Sequence, residues 1–394
     1  MLRRKIFPVV ALVVALWAAL AAADPALAIW TDKTRLTTTP ESEEYPRVAA
    51  VGCFVHVVWI DLTNRELHYT RSTDAGATWS TPRTLTTSPP GLPVIQAEIA
   101  VSGQRVQVVW QQGANDHASI HHRRSVNRGR SWRSPQILSA QGKASEQPTL
   151  AVDRGGAYVA WIQTRRGSDT KPVKLFLTRS ANRGKDWAAP ERLDRRSMGL
   201  SAPRLATGGG RLHTFWGRRV NVDGTWTLEI LNRSSTDGGM TWSQRARAVE
   251  GSWRPSSVAV DGDTVHLLWD DAQYKLSYVE YQRSHDAGRT WSAPQRLDEA
   301  SFASLGVSGD RLEAAWIRDW DGIGSLFYSR SRNGGRTWPI RRQIARTGRF
   351  PALAVASGKG QCGGAAHLAY GRNWAQDGLS FQEIYYKRNP KILP

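Results

Sequence analysis

Six copies of one eight-residue phrase, Ser-x-Asp/Asn-x-Gly-x-(Thr/Ser/Asp)-Trp, recur along the chain. They begin at Ser72, Ser125, Ser180, Ser235, Ser284 and Ser331 and end at Trp79, Trp132, Trp187, Trp242, Trp291 and Trp338. Their spacing of roughly 50 residues is that of one small antiparallel sheet, a unit that buries both faces only by stacking on neighbours. Ahead of each phrase lies a strand-like run that closes on Trp, as in Val55 to Trp59, Val106 to Trp110 and Leu312 to Trp316. A shorter apolar run precedes that one, a third leads into the phrase, and a fourth comes after it. Such alternation of β-branched and polar residues between turn signals predicts an all-β chain of four-stranded antiparallel blades.

The first-strand signal occurs seven times, near Pro46, Ile95, Pro148, Pro203, Pro255, Phe302 and Pro351. After the seventh there is a second strand ending at Tyr370 and a third over 384–387, but no further phrase. At the other end, Trp30 to Leu36 resembles the segment that closes each repeat, such as Trp79 to Leu85. The count predicts a seven-bladed β-propeller in which an N-terminal strand completes the last blade and removes the exposed sheet edges. Cys53 and Cys362 then fall in matching regions of blades that are neighbours only in a closed ring, which predicts a disulfide between them.

Residues 1–28 read as a signal peptide: Arg3, Arg4 and Lys5, an apolar run from Ile6 to Ala23, and the small-residue ending Ala26-Leu27-Ala28. This leaves 29–394 as a single propeller domain, secreted or periplasmic, with no membrane span after cleavage. The formal net charge of +19 favours anionic glycans, cell-surface polymers or other anionic extracellular partners. No helix-turn-helix, zinc finger or basic helix is present, so no specific nucleic-acid partner is expected. No spacing of His, Cys, Asp and Glu suits a metal, and neither a phosphate-cradling loop nor a nucleophile elbow occurs, so no metal or cofactor is expected.

Within the phrase, Asp or Asn accepts turn N–H groups, Gly permits a positive φ, and Trp fills space between sheets. Asn127, Asn182 and Asn333 stand where other copies have Asp, which argues against six carboxylate catalysts. The phrases closely resemble the Asp-box, or bacterial neuraminidase repeat, of sialidases and other secreted β-propellers. That resemblance covers almost the whole chain after the leader. It implies that the boxes sit in peripheral turns between third and fourth strands, away from the active face. Familiar sialidases have six blades, and a seventh departs from them.

Candidate site residues therefore lie in the other loops. Arg165, Arg166, Arg218 and Arg219 suit a carboxylate, sulfate or phosphate, and Trp253, Trp320 and Trp374 suit the faces of sugars. The sialidase resemblance implies three Arg, a Tyr nucleophile with a Glu, and an Asp acid/base. Arg349, in Arg349-Phe350-Pro351, looks like the family's Arg-Ile-Pro segment. Arg254 with Arg318 or Arg218 would complete the Arg set, Tyr45 or Tyr274 the nucleophile, Glu44 or Glu146 its partner, and Asp270, Asp271 or Asp319 the acid. Three functions are compatible with these residues: a glycan- or polyanion-binding propeller without assured catalysis, an exo-sialidase-like glycoside hydrolase acting on terminal acidic sugars, and an extracellular protein-interaction scaffold.

Overall fold

The computed structural model describes residues 30–37, 42–86, 91–164, 173–201, 203–252, 254–273, 276–319, 324–339, 341–356, 362–376 and 379–390. The expected signal peptide, Arg165, Arg166, Trp253, Tyr274 and Trp320 lie outside these residues.

Seven four-stranded antiparallel blades form a ring. Blade 1 comprises Glu43–Val51, Phe54–Asp61, Glu66–Ser72 and Arg83–Thr86. The first strands of blades 2 to 6 are Val94–Ser102, Ser145–Val152, Arg204–Gly208, Pro255–Asp261 and Ser301–Ser308. Blade 7 takes Arg349–Val355, Ala366–Gln376 and Leu379–Asn389, and its fourth strand, Thr34–Arg35, comes from the other end of the sequence. Blades 3 and 4 run into one sheet because the fourth strand of blade 3, Glu191–Leu200, continues until Met198 and Leu200 pair with Arg219 and Arg218 of blade 4.

The core lies between blades. Second strands are sandwiched on both faces, so they lose the usual alternation: Val55, Val57, Val58, Trp59 and Ile60 are all buried. Trp59, Trp110, Trp161, Trp216, Trp269 and Trp316 hold the same place in six blades, and Tyr370 holds it in the seventh. Truncating one such ring to alanine costs about 3–5 kcal/mol. Cys53 and Cys362 form the disulfide across the closure between blades 7 and 1, with Cα atoms 5.0 Å apart.

Each box is a self-contained polar turn. In the first, Ser72 Oγ donates to Asp74 Oδ1 at 2.6 Å and accepts the Gly76 N–H at 2.7 Å, while Asp74 also accepts the Thr78 N–H at 2.8 Å. Asn serves equally well. Asn127 Oδ1 accepts the Ser131 N–H at 2.9 Å, and its amide nitrogen donates to Ser131 Oγ at 2.9 Å. The shared geometry therefore needs an acceptor at this position and not a negative charge.

Box and preceding blade interlock. Trp132 meets Tyr69 edge-on at 5.0 Å, Trp338 meets Tyr281 at 5.1 Å, and Trp79 meets Tyr386 at 4.7 Å. Blade 7 has no phrase in sequence, yet a like turn is assembled from two distant stretches. Trp30 meets Tyr328 edge-on at 5.1 Å, and Thr31 N–H bonds Arg388 O as Ser80 N–H bonds Arg71 O. By strand register Asn389 then occupies the box serine's place, opposite Ala366 as Ser72 is opposite Val55.

Candidate functional site

First strands from round the ring line a central cavity of about 690 Å³. Six of them carry a slip in register, and in four the slip spans two residues, between Glu44 and Arg47, Glu146 and Thr149, Ser301 and Ser304, and Arg349 and Ala352. Inside each of these four one bulky residue is left-handed: Tyr45 at φ 54°, Gln147 at 56°, Phe302 at 56° and Phe350 at 48°. Such a backbone costs roughly 1–3 kcal/mol for a non-glycine residue and persists where the surroundings enforce it, often at functional sites. Here the bulge re-aims a side chain from the pleat towards the cavity, and all four residues line it.

Three of these side chains form an arc across blades 1, 7 and 6. Tyr45 and Phe350 lie 4.4 Å apart, and Phe350 meets Phe302 edge-on at 5.3 Å. Phe302 is 54% exposed. An aromatic surface at the mouth of a cavity matches the apolar faces of sugar rings.

The wall carries charge. Arg47 Nε pairs with Glu98 at 3.0 Å, and its NH1 donates to Pro46 O at 2.9 Å. Arg204, at the matching position of blade 4, donates to Ser256 O at 2.8 Å and Pro203 O at 3.0 Å. Burial lowers the Arg204 pKa, an effect opposed by nearby Glu98 and Asp270. Asp270 accepts the Phe302 N–H at 3.3 Å through Oδ2, and its Oδ1 is sealed from solvent. Burial pushes its carboxyl above the ordinary range, against hydrogen bonding by Ser256 and the Phe302 N–H and the weaker pull of Arg204 and Arg254. Arg254 lines the same wall.

The structure brings together some of the residues singled out in the sequence. Arg349 reaches Glu44 at 3.4 Å and lies over the Phe350 ring at 5.3 Å, so both flank the arc. Tyr45 stands beside them, its hydroxyl pKa raised by burial and then by Glu44. Glu146 lies on the first strand of blade 3, and burial raises its pKa. Other residues go elsewhere. Arg318 pairs with Asp298, which also receives Arg341 at 2.8 Å and Trp316 Nε1 at 2.8 Å. Arg218 pairs with its cross-strand neighbour Glu229, and Arg219 lies over Trp226 at 5.2 Å on the long hairpin of blade 4. Asp271 pairs in register with Tyr278, Asp319 with Gly324, and Trp374 with Phe381.

Phe302, Phe350, Arg47 and Arg204 are site residues that the sequence alone does not single out. A signal exists for part of the set: Tyr45, Gln147, Arg254 and Phe350 each immediately precede a first-strand proline, and each lines the cavity. Among the described residues, no group of three or more His, Cys, Asp or Glu side chains has the arrangement of a metal site, and no helix is long and apolar enough to cross a membrane.

Residues 14–208 match the BNR repeat-like domain. Among solved structures the chain is similar to the Hadza microbial sialidase Hz136, at 15% identity and a TM-score of 0.51, covering 89% of this chain and 66% of that one. It is similar to the phage phi92 endosialidase at 12% identity and a TM-score of 0.53, covering 92% and 69%. It is also similar to the polysaccharide lyase Uly1 at 10% identity and a TM-score of 0.58, covering 87% and 89%. The chain thus spans just under two thirds of the Hadza enzyme's length. These likenesses are of fold. No curated protein matches the chain.

Proposed function

For this chain, which belongs to the BNR-repeat, sialidase-like β-propellers, we propose the binding of a carboxylate-bearing glycan at the mouth of the central cavity. The observation that carries this reading is the aromatic arc Tyr45–Phe350–Phe302, held by left-handed bulges above a wall that includes Arg47, Arg204 and Arg254. Rings stack on the arc, and guanidinium groups select acidic sugars. The disulfide between Cys53 and Cys362 is in keeping with the export that the leader-like residues 1–28 imply.

A second reading, hydrolysis at an acidic sugar, draws on Tyr45 standing beside Glu44 and Arg349 at the same mouth. Calorimetric titration of the mature protein with neutral and uronate- or sialate-bearing oligosaccharides, with product analysis of the same mixtures, tests both. Phe350→Ala is expected to weaken binding about tenfold, since an aromatic contact contributes roughly 1 kcal/mol or more. Arg254→Ala should weaken only the acidic ligands. Affinity untouched by Phe350→Ala would sink the binding reading, and product release abolished by Arg349→Ala would establish the hydrolytic one.

A further inference from the structure

The boxes differ in charge in a way their shared geometry does not require. Boxes 1 and 4 hold Asp74 and Asp237 and no basic residue. Boxes 2, 3 and 6 hold Asn127, Asn182 and Asn333 instead, and around them place Arg128 and Arg130, Arg183 and Lys185, and Arg332 and Arg336, with Asp186 keeping one carboxylate in box 3. Since Asn makes the same turn as Asp, the exchange leaves the fold alone and removes a negative charge where positive charge accumulates.

Structure concentrates this further at blade 2. Arg128 N–H bonds Gln104 O, which brings box 2 against the hairpin turn carrying Arg105. Arg133 N–H bonds Arg124 O, so those two residues flank the same turn. From blade 1, Arg71 donates to Arg128 O at 2.8 Å and Arg83 to Arg130 O at 3.0 Å, which adds two guanidinium groups. None of these six arginines, Arg71, Arg83, Arg105, Arg124, Arg130 and Arg133, has an ion pair to a carboxylate among the described residues, whereas Arg179, Arg211, Arg296 and Arg341 elsewhere on the ring do. Burial lowers the Arg124 pKa first, repulsion from Arg133 and Arg105 lowers it further, and Asp186 of box 3 opposes them. Lys185 continues the patch, for Gln136 of blade 2 donates to its carbonyl at 3.1 Å. Like charges held together with only Asp186 opposing them raise the energy of the free protein and favour an anionic partner.

We propose that the box end of blade 2, on the face of the ring opposite the cavity mouth, is a docking surface for a sulfated or carboxylated polysaccharide. A polyanion supplies several charges at once, and guanidinium forks bind sulfate and carboxylate with two hydrogen bonds each. Among the described residues the surface offers no fully exposed ring on which a base could stack: Phe54 is half-buried and covered by the Arg128 guanidinium at 4.2 Å, Trp132 is half-buried, and the exposed rings Trp226 and Phe302 belong to other parts of the molecule. Among the described residues it also lacks the broad apolar face with which an interfacial helix enters a bilayer.

The test uses the mature chain and heparin as probe. Arg124→Ser/Arg130→Ser/Arg133→Ser is compared with Arg289→Ser/Arg336→Ser/Arg342→Ser, which removes the same charge from blades 5 and 6. The blade 2 variant is expected to bind heparin about tenfold more weakly and to lose roughly two to three units of slope in a plot of log K against log salt, by counter-ion release. The control should retain most of the affinity. Equal losses in both variants would reduce the effect to net charge and overturn the proposal. So would tighter binding to single-stranded DNA or to phosphatidylserine vesicles than to heparin under the same salt. The fold-change in heparin affinity caused by the blade 2 substitutions should be the same in a Phe350→Ala background, in which binding of heparin's uronates at the mouth is already weakened, so the two sites stand or fall separately. Melting temperatures of both triple variants within a few degrees of the wild type verify that loss of binding is not loss of fold.

Discussion

The two faces of the ring use the same blades in opposite ways. At the box end, a single turn is repeated six times in sequence and once more by Trp30 with Asn389, and in the six sequence copies the serine accepts the same glycine N–H. At the mouth, the left-handed bulge positions of four first strands carry Tyr45, Gln147, Phe302 and Phe350, and no single side chain occupies all four. Repetition marks where every blade bears the same mechanical task, and divergence marks where the ring presents a surface to something else. The arginines of box 2 fit the second rule within the first region, because they vary at positions the turn leaves unconstrained.

The sharpest way to break this contrast is a substitution at a box glycine. Gly129 has φ +74°, and a Cβ there would lie 1.7 Å from the Tyr69 hydroxyl oxygen of blade 1. Gly129→Ala is therefore both strained and blocked by a buried side chain, and a loss of about 3–5 kcal/mol in urea unfolding is expected. Phe302→Ala at the exposed mouth should change stability by no more than about 0.5 kcal/mol. Similar losses from the two substitutions would show that the faces do not divide the labour in this way.

Acid should act next, and between the blades. His56, His266 and His367 are buried and bonded to the hydroxyls of Tyr69, Tyr281 and Tyr386 at 2.8, 2.8 and 2.6 Å. Burial, with smaller repulsion from Arg71, Arg283 and Arg388, lowers their pKa values to about 3, 4 and 3. Each folded value lies below that of the unfolded chain, near 6.5. The stabilisation is therefore complete above that pH and is lost as pH falls from there through the folded values of about 3 to 4, by up to about 2 kcal/mol per histidine at pH 5. Urea unfolding at pH 7.5, 6 and 5 should track this decline, with a shallower slope for His266→Gln. A flat profile would exclude these histidines as the acid-sensitive joints.

Much of the ring was legible because its energetics are written periodically: seven first strands, six second-strand tryptophans and two cysteines placed to meet on closure. The site was less so, for three physical reasons. A left-handed backbone at Tyr45 or Phe350 leaves no mark in composition, since only glycine advertises positive φ. Whether an arginine is available depends on how the strands come together: Arg318 and Arg218 read as loop cations, yet Arg218 pairs with Glu229 on the adjoining strand and Arg318 with Asp298 on the fourth strand of blade 5. Arg47 lies within a first strand and Arg204 opens one, and the residue pattern of a strand does not mark which of its cations face the cavity.

The smallest expected effect is also the most direct check on why box charge is free to vary. Burial alone would raise the Asp74 pKa, but hydrogen bonds from Ser72 and Thr78 outweigh it and hold the carboxyl at about 2. Its folded value lies below the ordinary carboxylate range, so its contribution is present above about pH 4 and disappears as pH falls through 2. The group is exposed, and solvent screening keeps that contribution small. Asp74→Asn should consequently alter stability by less than about 0.5 kcal/mol at pH 7, as Asn127 already makes the same turn with its amide. Between about pH 4 and pH 2.5 the variant should lose less stability than the wild type, measured by thermal unfolding across that range. A loss of more than about 1.5 kcal/mol at pH 7 would mean that the turn needs the charge itself, and the asparagine boxes could then no longer be treated as structurally equivalent to the aspartate ones.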